Sequence, residues 1–169
     1  MRIPIVDKED NIIEYKERED ADSEDIRRIV VLHVFNQNNQ ILIAKRQNTK
    51  AVNPNKWGPS VAGTVDEGYD YDDTLIKETE EEIGLINIKP IFYKKLFYDI
   101  DGSRFTGIYY VKIDSININD FKLQQEEVSE VKWIDILDLE RWYKEKPEEF
   151  VPAFKRHIEI IKEIYENQN

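Results

Sequence analysis

Residues Ile29–Phe35 form an almost unbroken apolar, β-branched run, the pattern of a strand covered on both faces. The polar turn Asn36-Gln37-Asn38-Asn39 leads from it into a second strand over Gln40–Lys45. Upstream, the strand-like pieces Ile3–Val6 and Ile12–Tyr15 flank a polar turn and predict an N-terminal hairpin over about residues 3–15. The charged stretch Lys16–Arg28 reads as surface, Asn48–Pro59 as loop and Ser60–Val65 as a short strand. The polarity then takes a helical period over Asp72–Ile83. Ile91–Ile100 and Arg104–Ile113 predict a hairpin turning at Asp101-Gly102-Ser103, with aromatic residues recurring at every second position. Val131–Ile134 is a further strand, and Asp135 is an N-cap candidate for a helix through Tyr143. Pro152 suits the first turn of a last helix over about residues 151–166, with Phe154, Ile158, Ile161 and Tyr165 on one face. Strands interleaved with three helices predict an α/β (α+β) fold with helices packed on a mixed sheet.

The 169 residues contain no repeat, Pro-rich linker or low-complexity tract, so one domain spanning 1–169 is expected. The absence of cysteine excludes disulfides, thiolate metal sites and cysteine nucleophiles. No apolar run approaches the roughly 18–20 residues of a membrane span, and the opening Met1-Arg2-Ile3-Pro4 lacks the form of a signal peptide, so a cytoplasmic protein is expected. With 35 acidic against 24 basic residues the chain carries a formal charge of -11, which disfavours nucleic acid as a partner. That charge is unevenly placed. Residues 63–85 hold nine acids and one lysine, a local charge of -8, which leaves only -3 for all the rest.

Within this segment Asp72 or Asp73 suits the start of the helix, where free amides and the positive dipole favour a carboxylate. Its end is the opposite case. Glu80, Glu81 and Glu82 crowd the last turn, where each carboxylate costs about 0.3–1 kcal/mol, and Glu78 faces Glu82 at i,i+4, adding about 0.2–0.5 kcal/mol of repulsion. Lys77 can offset part of this by pairing with Glu81. Glu78, Glu81 and Glu82 are expected on one side of the helix, with Leu75, Ile76, Thr79 and Ile83 on the other. Hard carboxylate oxygens grouped this way suit Mg²⁺ or Mn²⁺.

The segment GTVDEGYDYDDTLIKETEEEIGL resembles the Nudix box, a loop–helix–loop signature. Gly63, Glu78, Glu81, Glu82, Gly84 and Leu85 fall in its register, whereas Tyr69 stands for its first Glu, Lys77 for its Arg and Thr79 for an aliphatic. In the family the first Glu and the Arg form a structural ion pair, and here both are replaced. Leu42–Arg46, Asn55-Lys56-Trp57, Ser60–Gly63 and Glu126–Trp133 resemble the family's flanking runs, so the similarity covers roughly residues 3–165. The branch it most resembles is the one containing isopentenyl-diphosphate isomerase. The resemblance implies a Nudix-type α/β/α sandwich, with Glu78, Glu81, Glu82 and the Gly63 carbonyl holding Mg²⁺ or Mn²⁺.

The isomerase itself needs a catalytic cysteine and a histidine-rich metal site. Ala62 and Thr64 stand at the matching cysteine and histidine positions, and His33 and His157 read as structural or surface residues. Isomerase chemistry is therefore ruled out. The expected activity is hydrolysis of a phosphoanhydride in a nucleoside diphosphate derivative or a nucleoside di- or triphosphate. Glu81, or Glu127 with its neighbour Glu126, is the candidate general base, and Lys45 and Arg46 are candidate phosphate contacts. Trp57 and Trp133 read as packing residues, while Phe35, Phe97, Tyr98, Phe105 and Tyr110 either stack a base or fill the core. A non-catalytic nucleotide- or protein-binding domain is the rival reading. RNA decapping is disfavoured, the nearest approach to a basic patch being Lys45, Arg46, Lys50 and Lys56. The N-terminal hairpin either caps the domain or pairs with a second copy in a homodimer.

Overall fold

The computed structural model describes residues 1–100, 102–114 and 116–168. Strands β1 (Arg2–Val6) and β2 (Ile12–Glu17) form the N-terminal hairpin. Strand β3 (Ile26–Phe35) is the spine of the sheet. It runs antiparallel to β1, to β4 (Ile41–Arg46) and to β6 (Val61–Thr64), and parallel to β8 (Ser103–Lys112) over residues 27–35 and 104–112. Strand β5 (Trp57–Gly58) and strand β9 (Val128–Ile134) flank β4, and β7 (Ile91–Asp99) closes the far edge beside β8. Helix α1 (Tyr71–Ile83) covers one face; α2 (Ile136–Glu145) and α3 (Phe154–Gln168) cover the other.

The double covering explains the unbroken apolar run. Val30, Leu32 and Val34 of β3 pack with Leu75 and Ile83 of α1, while Phe35, with Ile41 and Ile43 of β4, packs with Ile158, Ile161 and Ile164 of α3. Side chains alternate across a strand, so a strand with helices on both sides has no position left for a polar surface.

Several boundaries differ from the sequence reading. The stretch Lys16–Arg28 is not simply surface: residues 26–28 belong to β3, and Asp25 is buried against Lys16 at 2.7 Å. Charged residues enter the fold here because each has a partner. Arg28 donates to the Asp10 carboxylate at 2.8 Å, and Lys95 and the Tyr71 hydroxyl reach the same carboxylate, so the turn of the hairpin is tied to β3, β7 and α1. The loop Asn48–Pro59 contains β5, two residues being too short to give a period. Pro152 precedes α3 in a turn instead of opening it, and Asp135 stands at the N-cap of α2 without a side-chain capping bond. The second hairpin forms as expected, although Asp101 of its turn lies outside the described residues.

Candidate metal and catalytic site

Helix α1 begins at Asp70, whose carboxylate accepts the backbone N–H of Asp73 at 2.9 Å, two to three residues ahead of the expected caps. It ends at Gly84, which is in the left-handed conformation (φ 69°) and donates to the Glu80 carbonyl at 3.0 Å. The last turn has no basic side chain. Instead the segment ahead of β9 meets it with backbone amides: Lys122 N–H donates to the Ile83 carbonyl at 3.2 Å and Gln124 N–H to the Glu82 carbonyl at 3.0 Å. These bonds satisfy carbonyls that the helix cannot pair internally.

The three acids do not share one environment. Glu82 lies on the covered side with Thr74, Leu75, Thr79 and Ile83; Glu78 is half-buried; Glu81 is exposed. Ile76, expected on the covered side, faces outward and is 44% exposed. Position 82 comes seven residues after Leu75, almost two full turns, which carries it back to the core stripe while position 76 leaves it. Lys77 likewise pairs with Asp66 at 3.1 Å and not with Glu81, and its ammonium lies over the Tyr69 ring. Two of the three residues that depart from the box pattern, Tyr69 and Lys77, thus touch each other, and Asp66 supplies the anion.

Glu78 and Glu82 both reach strand β6. A Cβ on Gly63 would stand 2.3 Å from Glu78 Cγ, so only glycine lets this carboxylate lie against the backbone. Glu82 Oε2 accepts the N–H of Ala62 at 3.4 Å. Burial, opposed only in part by Lys77, raises the pKa of Glu78, with Glu81, Asp66 and Glu127 adding to it. Burial likewise pushes Glu82 up to about 8, Glu78 and Glu127 adding repulsion while the Ala62 amide and Arg46 oppose it. A buried carboxylate this poorly compensated wants a proton or a cation. The donor set is all-oxygen, so a hard divalent ion fits it, and Glu78, Glu82 and the adjacent Gly63 backbone are the groups that would hold it. Among the described residues no three acidic or imidazole side chains come together as a metal site; a site here would rest on two carboxylates and be finished by backbone, water and substrate oxygens, a donor set that Mg²⁺ accepts.

Of the remaining candidates, Glu127 belongs to the cluster by its electrostatic effect on Glu78 and Glu82, and its carboxylate is held by Lys50 at 2.7 Å. Arg46 acts on Glu82 and donates to the Val52 carbonyl at 3.1 Å. Lys45 is not brought together with them: its ammonium lies 5.7 Å from the centre of the Trp57 ring, which packs in the α2–α3 core. Lys50 and Asp66 were not singled out for these roles by sequence, since loop residues follow no period. His33 and His157 are buried side by side beneath α3, 3.4 Å apart, as structural residues. Trp57 and Trp133 pack. Phe35 and Tyr98 are core; Phe97, half-exposed, rests on Phe105.

Comparison with known proteins gives a consistent picture. The NUDIX domain family model matches residues 25–154. A prenyl-diphosphate phosphatase of Methanosarcina mazei is 29% identical over 162 residues, covering 94% of each chain. The crystal structure of DR0079 from Deinococcus radiodurans superposes with a TM-score of 0.83 at 19% identity, covering 95% of this chain and 99% of that one. The NUDIX domain of NrtR from Shewanella oneidensis, solved with ADP-ribose, gives a TM-score of 0.65 at 18% identity and covers 91% of this chain and 94% of its own.

Proposed function

The chain belongs to the Nudix hydrolase family, and from that premise we propose that it is a Mg²⁺- or Mn²⁺-dependent pyrophosphohydrolase acting on a diphosphate compound. The observation that carries the reading is the Glu78–Gly63–Glu82 arrangement, in which a half-buried and a buried carboxylate, both with raised pKa values, lie over one strand. A cation bound there would neutralise the diphosphate and lower the pKa of a coordinated water. In the reaction the water oxygen bonds to phosphorus, the bridging P–O bond breaks toward the leaving phosphate, and the water's proton passes to a carboxylate. Glu127 is the preferred acceptor and Glu81, exposed on the helix, the alternative. The electrostatic effect of Arg46 on Glu82 supports it as the phosphate contact; Lys45 would reach a phosphate only by leaving Trp57.

Two substrate classes follow. A nucleoside diphosphate linked to another group, or a nucleoside di- or triphosphate, is supported by the ADP-ribose bound to the NrtR domain. A prenyl diphosphate is supported by the Methanosarcina relative, which matches nearly the whole chain. The test is a panel of ADP-ribose, nucleoside triphosphates and isopentenyl diphosphate with Mg²⁺ or Mn²⁺ at slightly alkaline pH. Glu82→Gln should lower turnover on the best member by about a hundredfold or more, the scale at which removing one charge-stabilising group tells. Equal turnover by the wild type and this variant on every member would favour a binding domain.

A further inference from the structure

Beside the acid cluster two loops close on each other. Residues 47–56 leave β4, and residues 121–127 pass the end of α1 on their way into β9. Gln47 N–H donates to the Glu127 carbonyl at 2.9 Å, and Gln47 Nε2 to the Gln125 carbonyl at 2.8 Å. Lys50 Nζ reaches over this seam to the Glu127 carboxylate at 2.7 Å. The same segment donates from Gln124 N–H to the Glu82 carbonyl. Glu127 is thus fixed from two directions, its backbone by the Gln47 N–H and the Gln124 carbonyl, Gln124 being itself bonded to the end of the helix that bears Glu82, and its carboxylate by Lys50.

The lysine is poorly explained as a stabilising contact. Its side chain is 25% exposed and that of Glu127 33%, and ion pairs this open to water contribute about 0–1 kcal/mol. The pair instead occupies a strategic place, because the Glu127 charge is felt at both Glu78 and Glu82. Lys50 is therefore the mobile counter-charge of the cluster. Its ammonium is a compact point charge on a flexible stem, well suited to changing partners. A diphosphate carries more charge than one carboxylate, and a weak pair is readily exchanged for it.

Resting on the function proposed above, we infer that Lys50 is a positioning residue with two alternative partners. Without diphosphate it holds the Glu127 carboxylate. With diphosphate bound it moves to a phosphate oxygen, and Glu127 is released to accept the proton of the attacking water. The lysine so couples substrate arrival to availability of the base.

Titration calorimetry on Lys50→Ala and Lys50→Arg tests this with two probes, Mn²⁺ alone and methylenediphosphonate in saturating Mn²⁺. Removing the lysine charge should tighten Mn²⁺ binding about fivefold, the lower range of site-to-site coupling. The same change should weaken the diphosphonate about tenfold, as expected for a lost charge-assisted hydrogen bond, while Lys50→Arg restores most of that loss. Opposite shifts from one substitution show that the Lys50 charge acts on both ligands, and a lysine that only holds the two loops together would move both affinities the same way or not at all. Lys50→Met, which keeps the aliphatic stem, must reproduce them if the alanine variant loosens the loop. Shifts of the same sign, or none, with Mn²⁺ still bound by the wild type, overturn the two-partner role alone. A wild-type protein that binds no Mn²⁺ overturns it together with the function on which it rests.

Discussion

At position 82 the chain buries a carboxylate among Leu75, Thr79 and Ile83, a placement that costs stability unless something neutralises it. The contact that fixes its neighbour Glu78 is equally exacting, because the Gly63 backbone fills the space where a side chain would begin. Gly63→Ala would place its new methyl within 2.5 Å of Glu78 Cδ, and either the helix or the strand must shift. The expected result is a loss of about 1–3 kcal/mol in chemical denaturation, the usual cost of forcing an atom into a packed site, together with loss of turnover and of Mn²⁺ binding. A variant with wild-type stability and unaltered Mn²⁺ affinity would show that the Glu78–Gly63 contact is not required. Lys77 illustrates the converse freedom. The ion pair of the resembled motif is absent, yet Asp66 and the Tyr69 ring receive the lysine from two sides, so the local charge balance survives both replacements.

At the scale of the element, helix α1 is remarkable less for its acids than for how its negative end is sealed. With no cation in the last turn, its carbonyls are met by Gly84 in the left-handed conformation and by the amides of Lys122 and Gln124. An alanine at 84 would be strained at φ 69° and would bring a Cβ to 2.6 Å from that of Lys122. Gly84→Ala should therefore cost about 1–2 kcal/mol or more. The displaced 121–127 segment should also lose amide protection, so Gln124 N–H should exchange faster than in the wild type; unchanged exchange would refute the sealing role. This helix was legible in the sequence because its spacing is local, as were β3, β4, both hairpins and α3. What stayed hidden depends on contacts between distant segments. Nothing in the order of residues tells that Ile76 turns outward while Glu82 turns in, that Lys45 lies on Trp57, or that Lys50 meets Glu127 across 77 positions. The acid cluster could be read, and so could Arg46 as a cation near it, but the Lys50 pairing with Glu127 could not.

Over the whole molecule, the two faces of the sheet respond to pH in opposite ways. Burial holds His157 down to about 4, Arg104 adding to the effect, and holds His33 well below its ordinary value, with His157 adding to the burial. In the unfolded chain both titrate near 6.5. The unfolded state therefore takes up protons first, and stability present above pH 6.5 is lost as the pH falls toward 4, by about 3 kcal/mol for His157 alone. Glu82 on the other face has the reverse sign, since its raised pKa makes the folded state the better proton acceptor from about 4.5 to about 8. Thermal melts of Glu82→Gln remove the largest opposing contribution. Stability should fall as the pH drops below about 6.5, and adding His157→Gln should lessen the slope, with the buried His33 supplying the remainder; an undiminished slope would assign the acid sensitivity elsewhere.

The parallel pairing of β3 with β8 has one more consequence, for the order in which the chain is made. His33 lies opposite Tyr110, 77 positions later, and at about 5–20 residues per second that interval takes about 4–15 s of synthesis. Throughout it Val30, Leu32 and Val34 lack their parallel partner, and for the first 50 of those positions helix α1 is incomplete as well. The strand that organises the finished sheet is thus the nascent chain's most exposed adhesive segment, and topologies so dominated by distant pairings are slow to close. The hairpin β1–β2, synthesised first and paired with the start of β3, is the first sheet partner available to it, with β4 and β6 following before β8.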